Sequence, residues 1–189
     1  MKKLSALLLA LTLLVSCVPV LAAETPASGS RIIVVYFSAT GTTKGVAEKL
    51  AQGLNADLYE IVPEQPYTDA DLNYNNSKSR TSIETNDPAC RPAIVGELPD
   101  LAAYDTVFIG YPIWWGDTPR IVSNFVEQVD LTGKTLAVFF TSGSSGLGNS
   151  MRHLEQQSGA GTWLEGKRFT ARAKVEDLTA WAKSLGIEP

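Results

Sequence analysis

Short apolar runs alternate along this chain with longer amphipathic stretches, and this alternation restricts the possible folds more than any other feature of the sequence. The runs are rich in β-branched residues, have no polar face and are bounded by turn residues, which is typical of strands buried on both sides. Two examples are IIVVYF at 32–37 and TLAVFF at 135–140. Helices that connect such strands make them parallel. The sequence therefore predicts an α/β fold, a mostly parallel sheet covered by helices on both sides.

The predicted elements all follow residue 30. Strands are predicted at 32–37, 58–62, 106–111 and 135–140, and helices at 44–54, 119–129, 149–157 and 175–185. A further strand is expected before the last helix. One segment, Gln65–Pro92, is irregular: Tyr67–Tyr74 is a candidate helix, and the polar residues from Asn75 to Arg91 are typical of a loop. Because long structureless loops are uncommon in compact domains, we expect one helix here, packed over the sheet, or a functional cover.

The N-terminus predicts export. A basic start at Lys2 and Lys3, an apolar run from 4 to 15 and small residues at 22–23 are typical of a signal peptide, here assigned to residues 1–23. Three alternatives remain for this segment: ordinary signal-peptidase cleavage near Ala22, cleavage and lipidation at a lipobox ending at Cys17, or an uncleaved anchor. Residues 24–30 are a polar linker to one domain at 31–189. In each alternative the domain lies outside the cytoplasm.

Charge and cysteine content narrow the possible partners. Without Lys2 and Lys3 the chain has 14 basic and 20 acidic side chains, a formal net charge of −6. An acidic surface repels nucleic acid and anionic headgroups, so membrane attachment would have to come from a lipid on Cys17. The other cysteine, Cys90, lies in a loop-like context without a neighbouring histidine and is interpreted as a loop thiol without catalytic role.

Hydroxyl side chains cluster directly after the first predicted strand. Ser38, Thr40, Thr42 and Thr43 surround Gly41 where the next helix begins. A helix N-terminus presents unpaired N–H groups and partial positive charge, and hydroxyls add donors, so a phosphate can be bound there without a cation. The spacing matches neither G-x-G-x-x-G nor a Walker loop. The cluster predicts a ligand that ends in a phosphate.

Two further loops follow predicted strands, and the carboxyl ends of parallel strands meet at one edge of a sheet. The first, YPIWWGDTP at 111–119, contains Trp114 and Trp115. We expect one tryptophan to pack beneath the loop and the other to stack on an aromatic ring. The loop composition does not decide which, and Trp115, nearer Gly116, is our choice for the stacking residue. The second, TSGSSGLGN at 141–149, has three glycines that allow the backbone to approach a ligand closely.

These motifs together resemble one family. Ser38-x-Thr-Gly-x-Thr43 resembles the FMN-phosphate loop of the flavodoxin family, and YPIWWG at 111–116 and TSGSSG at 141–146 resemble the flavin-ring loops of its bacterial flavodoxin-like branch. The resemblance extends from Arg31 to Leu185. It implies a flavodoxin-like three-layer sandwich with a five-stranded parallel sheet in the order 2-1-3-4-5, and FMN bound without a covalent link.

The resemblance also implies a role for each loop. It assigns the phosphate to Ser38, Thr40, Gly41, Thr42 and Thr43. It assigns the flavin ring to Pro112, Ile113, Trp114, Trp115, Gly116, Thr141, Ser142, Gly143, Ser144, Gly146 and Gly148. No catalytic residue and no metal site are predicted, and the single histidine, His153, is interpreted as a surface residue.

Three functions are consistent with this sequence. The first is an exported FMN protein that passes one or two electrons between redox partner proteins or small acceptors; the acidic surface and the lack of a nicotinamide-binding motif favour it. The second is an NAD(P)H-dependent FMN oxidoreductase of the quinone or flavin reductase type, which a cover formed by residues 65–92 would favour. The third is a non-redox FMN-binding or surface-interaction module.

Overall fold

Parallel strands form the centre of the fold. The computed structural model describes residues 31–188. The strands are β1 Ile32–Tyr36, β2 Asp57–Glu60, β3 Thr106–Pro112, β4 Thr135–Thr141, β5 Thr162–Trp163 and β6 Lys167–Phe169. The helices are α1 Thr42–Leu54, α2 Arg80–Asn86, α3 Arg120–Gln128, α4 Ser150–Ser158 and α5 Val175–Ser184, with a short 3-10 turn at Leu101–Ala103. All strand pairs are parallel.

The sheet has the predicted order 2-1-3-4-5, so the fold class predicted from the sequence is confirmed. The fifth position is divided between two short strands. β5 pairs with the start of β4 at Thr135 and Leu136, and β6 pairs with its end at Phe139–Thr141. The sequence between α4 and α5 has no continuous apolar run, because Glu165 and Gly166 interrupt it, and the edge strand is therefore broken.

The two faces of the sheet have separate apolar cores. Along β1, Ile33 and Val35 point to the face covered by α3 and α4, whereas Val34 and Tyr36 point to the face covered by α1 and α5. Each of these side chains is at most 2% exposed, and alternate side chains of a strand point to opposite faces. The uninterrupted apolar runs in the sequence result from this burial on both sides.

The segment at residues 65–92, here named the cover segment, differs from the prediction. Its helix is α2 at Arg80–Asn86, and the stretch Tyr67–Tyr74 forms turns. There the Asp71 carboxylate accepts from the Thr68 N–H at 2.9 Å, and the Asn73 side chain accepts from the Asn75 N–H at 3.0 Å. Such local side-chain bonds compete with helix formation. The prediction of a helix at Tyr67–Tyr74 is therefore wrong.

The predicted signal peptide, lipobox and linker at residues 1–30 lie outside the described residues. Between residues 31 and 188, no helix combines the length and the apolar character that are needed to cross a bilayer.

Candidate functional site

A cavity of about 600 Å³ opens at the carboxyl ends of the central strands. It lies where the loops after β1, β3 and β4 meet, next to the point at which the strand order reverses between β1 and β3. Ligands of doubly wound sheets bind at such a position. The predicted site residues that line it are Ser38, Thr40, Thr43, Pro112, Ile113, Trp114, Trp115, Gly143 and Ser144.

The loop after β1 presents unpaired donors. Gly41 precedes α1 with φ +84°, a backbone conformation that glycine adopts without steric cost, and no side chain of the described residues caps the helix. The Ser38 hydroxyl is buried and has no hydrogen-bond partner among the described residues. Three other buried polar side-chain atoms of the described residues also lack a partner, but of these four residues only Ser38 lines the cavity, so its hydroxyl is a candidate ligand contact. The start of a 13-residue helix adds N–H groups and partial positive charge.

Thr43 has a different position from the other hydroxyl residues of this loop. Its side chain is 1% exposed, and its hydroxyl forms a hydrogen bond of 2.8 Å with the Thr141 hydroxyl at the end of β4. This buried bond joins the first loop to the third. Gly41 and Thr42 lie at the exposed start of α1, beside the cavity wall.

The loop after β3 contains a tight turn. Trp114 and Asp117 exchange two backbone hydrogen bonds, of 3.0 Å and 2.9 Å. The residues between them, Trp115 and Gly116, have φ of +54° and +76°, and positive φ at both central positions is the signature of a type I′ turn. For a tryptophan this conformation costs about 1–2 kcal/mol. Backbone strain of this kind clusters at functional sites.

The two tryptophans lie in different environments. Trp114 packs edge-on against Phe37 and Tyr67, with ring centroids 5.4 Å and 5.1 Å away. Trp115 is 51% exposed at the cavity wall. The expected division between one packed and one exposed tryptophan is thus present, and stacking by Trp115 stays a prediction.

The loop after β4 approaches the tryptophan turn through its backbone. Gly148 has φ +58°, and a Cβ atom at this position would overlap the carbonyl oxygen of Gly116. The Ser142 hydroxyl donates to the carbonyl of Ser145 and shapes the loop. Gly146 has open space around it. Of the predicted ring-binding residues, Gly116, Thr141, Ser142, Gly146 and Gly148 lie behind or beside the cavity wall rather than in it.

Sequence reasoning did not select five residues that line the cavity. Ala39 and Ser145 belong to predicted loops, whereas Leu72, Tyr74 and Thr81 come from the cover segment. Tyr74 is 72% exposed. The irregular composition of residues 65–92 pointed to a cover, but the sequence contained no signal for which of its residues would reach the cavity.

Two tyrosines near the site, Tyr67 and Tyr111, have raised pKa values. Burial raises the pKa of Tyr111, whose hydroxyl is hydrogen-bonded to the Ser150 hydroxyl at 3.0 Å. Burial and the Glu84 carboxylate, which accepts from the Tyr67 hydroxyl at 2.7 Å, raise the pKa of Tyr67. These phenols are therefore neutral at physiological pH. Burial also raises the pKa of the Cys90 thiol, so this residue is not an activated nucleophile.

One ionic network lies directly beside the tryptophan turn. The Asp117 carboxylate contacts Nδ1 of His153 at 2.9 Å and the Arg120 guanidinium at 3.5 Å. His153, interpreted from the sequence as a surface residue, has a side chain only 34% exposed. In residues 31–188, no group of three or more His, Cys, Asp or Glu residues is arranged to hold a metal ion.

Comparisons with known proteins agree with this geometry. A family model described as flavodoxin matches residues 31–185. A protein from Bacteroides eggerthii DSM 20697, provisionally called a flavoprotein, is 47% identical, with a TM-score of 0.80 over 85% of this chain and 100% of its own. A similar protein from Bacteroides uniformis ATCC 8492 is 41% identical, with a TM-score of 0.77 over 82% of this chain and 99% of its own.

A more distant structure has the same fold. The flavoprotein from Lactobacillus acidophilus NCFM, solved in complex with FMN, is 23% identical, with a TM-score of 0.63 over 82% of this chain and 99% of its own. The family model spans the whole unit from β1 to α5, including all three loops around the cavity. This chain therefore belongs to the flavodoxin family.

Proposed function

We propose that this protein binds FMN without a covalent link and passes one or two electrons between redox partners outside the cytoplasm. Membership of the flavodoxin family and the FMN complex of the Lactobacillus acidophilus relative support the cofactor. The observation that carries the proposal is the cavity of about 600 Å³, which is lined both by Ser38, whose hydroxyl has no partner among the described residues, and by the exposed Trp115.

The first loop suits the phosphate of FMN. The orphaned Ser38 hydroxyl, the uncapped start of α1, and the hydroxyls of Thr40 and Thr42 would supply neutral donors. Among the described residues that line the cavity, none carries a formal charge. A phosphate would thus be held by N–H and O–H groups and by the helix dipole rather than by an ion pair.

The second and third loops suit the flavin ring. Trp115 would offer an aromatic face, and Gly143 and Ser144 would bring backbone groups close to the polar ring edge. Because Gly148 has no side chain, its backbone can lie close to the carbonyl oxygen of Gly116, so the two loops approach each other closely.

FMN supplies the electron-transfer chemistry, and the protein supplies binding, orientation and exclusion of water. Tyr74 is the only titratable side chain among the described cavity-lining residues. No acid or base beyond the flavin is needed for electron exchange, which favours a carrier over an enzyme that must protonate a substrate. The predicted export signal supports a location in the cell envelope or outside the cell, with or without a lipid on Cys17.

The first test is flavin retention. The purified exported form, residues 24–189, is incubated with FMN and desalted, and its visible absorbance is recorded. Retained flavin bands would support the proposal and allow a redox titration. A colourless protein that circular dichroism shows to be folded would contradict it.

An NAD(P)H-dependent FMN oxidoreductase is the second candidate. It is favoured by the cover segment, because Leu72, Tyr74 and Thr81 extend the cavity wall beyond the three loops and offer a surface for a small acceptor. Steady NAD(P)H oxidation by the FMN-loaded protein with a quinone acceptor would establish this activity. If the protein did not oxidise NAD(P)H but its bound flavin could be reduced reversibly at an electrode, the electron-carrier function would be favoured.

A further inference from the structure

The Asp117 side chain holds three donors although it is largely buried. Its side chain is 13% exposed, and its two oxygens accept from the N–H of Thr118 at 2.8 Å and contact Nδ1 of His153 at 3.0 Å and 2.9 Å. The third partner is the Arg120 guanidinium at 3.5 Å. His153 belongs to α4 and Arg120 to α3, so one carboxylate joins two helices to the loop that contains Trp115.

The tryptophan turn depends on its two ends. Trp115 at φ +54° is in a conformation that tryptophan rarely adopts, and the turn is closed only by the backbone pair between Trp114 and Asp117. Packing against Phe37 and Tyr67 holds the Trp114 end. At the other end, the contacts of the Asp117 carboxylate hold the backbone in place.

Arg120 extends the network to the cover segment. Its side chain is 8% exposed and donates to the carbonyl of Glu84 at 3.3 Å and to that of Thr85 at 2.7 Å, in the last turn of α2. A buried guanidinium needs both hydrogen bonds and a counter-charge, and Asp117 provides that charge. The Asp117 carboxylate therefore contacts Arg120, which anchors the cover segment at one wall of the cavity. Asp117 itself belongs to the loop that forms another wall.

We propose that Asp117 is a positioning residue: with His153 and Arg120 as partners, it holds the Trp114–Asp117 turn and thereby sets the orientation of Trp115 at the cavity wall. This inference rests on the proposed FMN site. It predicts that Asp117 affects binding of the flavin ring and not of the phosphate, because the contacts of Asp117 are with the second loop, α3 and α4.

The test compares two ligands that share the ring and the ribityl chain but differ in the phosphate, FMN and riboflavin. The variants are D117N, which keeps the shape of the side chain and removes its charge, H153Q, and the double variant D117N/H153Q. We expect D117N to weaken the binding of both flavins about tenfold, with an unchanged ratio of FMN to riboflavin affinity. The double variant should bind about as weakly as D117N alone, because both substitutions break the same contact.

The matched control is D130N. Like Asp117, Asp130 accepts from a nearby backbone N–H, that of Thr132 at 2.9 Å, but it lies in the loop before β4, at the opposite edge of the sheet. D130N removes the same charge and should leave both affinities unchanged. Binding by D117N within twofold of wild type would overturn the proposal. So would additive losses in the double variant, which would show that Asp117 and His153 act independently, or a fall in the FMN-to-riboflavin ratio, which would place the effect at the phosphate.

Near-ultraviolet circular dichroism of the flavin-free variants separates this proposal from the proposed function. A changed tryptophan signal in D117N but not in D130N, with both proteins folded in urea titrations, is expected whether or not flavin binds. If the wild type bound neither flavin but showed this difference, the FMN function would fail and the positioning role would stand. An unchanged signal in D117N would overturn the positioning role.

Discussion

At the scale of single residues, neighbouring residues in the loops around the cavity have different structural roles. Trp114 and Trp115 are adjacent, yet one packs in a cluster of aromatic rings and the other is 51% exposed at the cavity. Ser38 and Thr43 both carry hydroxyls in the first loop, yet only Thr43 has an intramolecular partner, Thr141, while Ser38 has none among the described residues. Substitutions within each pair should therefore separate ligand binding from stability.

Replacing Trp115 with alanine should weaken FMN binding about 10- to 100-fold, because stacking on a flat ring contributes about 1–3 kcal/mol. The free energy of unfolding of the flavin-free protein should change little, since the Trp115 side chain is half exposed and alanine keeps the Cβ that causes the strain at φ +54°. The matched variant W114A should instead lower that free energy by about 2–4 kcal/mol, because Trp114 packs against Phe37 and Tyr67. Flavin titration and urea unfolding of both variants measure these effects. If W115A and W114A lost the same FMN affinity and were equally stable, the division of roles between the two tryptophans would be contradicted.

Replacing Ser38 with alanine should weaken FMN binding about tenfold or more, since a hydrogen bond to a charged group contributes about 1.5–3 kcal/mol. Riboflavin affinity should stay unchanged because riboflavin has no phosphate. The flavin-free variant should be as stable as the wild type or more stable, because a buried hydroxyl without a partner is removed. Lower stability of flavin-free S38A would show that this hydroxyl has a partner in the protein.

At the scale of elements, the site consists of loops held together by parallel strands. The bond between Thr43 and Thr141 joins the start of α1 to the end of β4, and the backbone of Gly148 lies close to that of Gly116, where the loops after β3 and β4 meet. The strands bring these loops to one edge, while the loop-to-loop contacts decide their spacing. Removing such a contact should thus change the cavity while the sheet stays intact.

Replacing Gly148 with alanine should lower the free energy of unfolding by about 1–3 kcal/mol, because φ is +58° and the new Cβ would overlap the carbonyl oxygen of Gly116. FMN affinity should fall as the tryptophan turn is displaced. The control is G146A, in the same loop, where φ is not in the left-handed region and nothing lies within 4 Å of the new Cβ. If G148A and G146A gave the same urea midpoint and the same affinity, this contact would not determine the spacing of the loops.

At the scale of the whole molecule, the cover segment is attached to α3 by polar contacts spread along that helix. Arg120 donates to the carbonyls of Glu84 and Thr85, Asn124 donates to the carbonyl of Pro92 at 2.9 Å, and Arg91 forms an ion pair with Glu127 at 2.6 Å. These contacts keep one wall of the cavity in place. Since one of them is an ion pair, the attachment depends on pH.

The Arg91 guanidinium lowers the pKa of Glu127 below its ordinary value of 4.5. Because the folded-state pKa is depressed, the pair stabilises the protein above pH 4.5, and this contribution is lost as the pH falls below that value. The Glu127 side chain is 34% exposed, so we expect less than about 1 kcal/mol. Urea unfolding of wild type and E127Q should differ by this amount near pH 7 and converge in acid. A difference that persisted in acid would exclude the ion pair as its cause.

A matched control for the loss of one surface carboxylate is E97Q. Glu97 lies outside the cover segment, and its carboxylate forms no ion pair among the described residues. This variant should keep the wild-type pH dependence between neutral and acid conditions. If E97Q changed the pH dependence of stability as E127Q does, the loss of one negative charge, and not of the ion pair, would explain the effect.

The sequence by itself determined the α/β class and the three loops around the cavity. Burial of each strand on both faces leaves a continuous apolar run such as that of β1, and the hydroxyl, tryptophan and glycine motifs are each contained in a few consecutive residues. Such local patterns can be recognised from the sequence alone. The family resemblance carried by these motifs then implied the order of the strands, which the structure confirms.

Only the tertiary structure decided which side chains meet. Thr43 and Thr141 are 98 positions apart, and Asp117 and His153 are 36 apart, so no local pattern pairs them. The helix of the cover segment formed at Arg80–Asn86 instead of Tyr67–Tyr74 because side-chain bonds to the backbone favoured turns in the earlier stretch. The buried strands follow from continuous apolar runs in the sequence, whereas the spacing of loops and the partner of a buried charge follow from packing between distant parts of the chain.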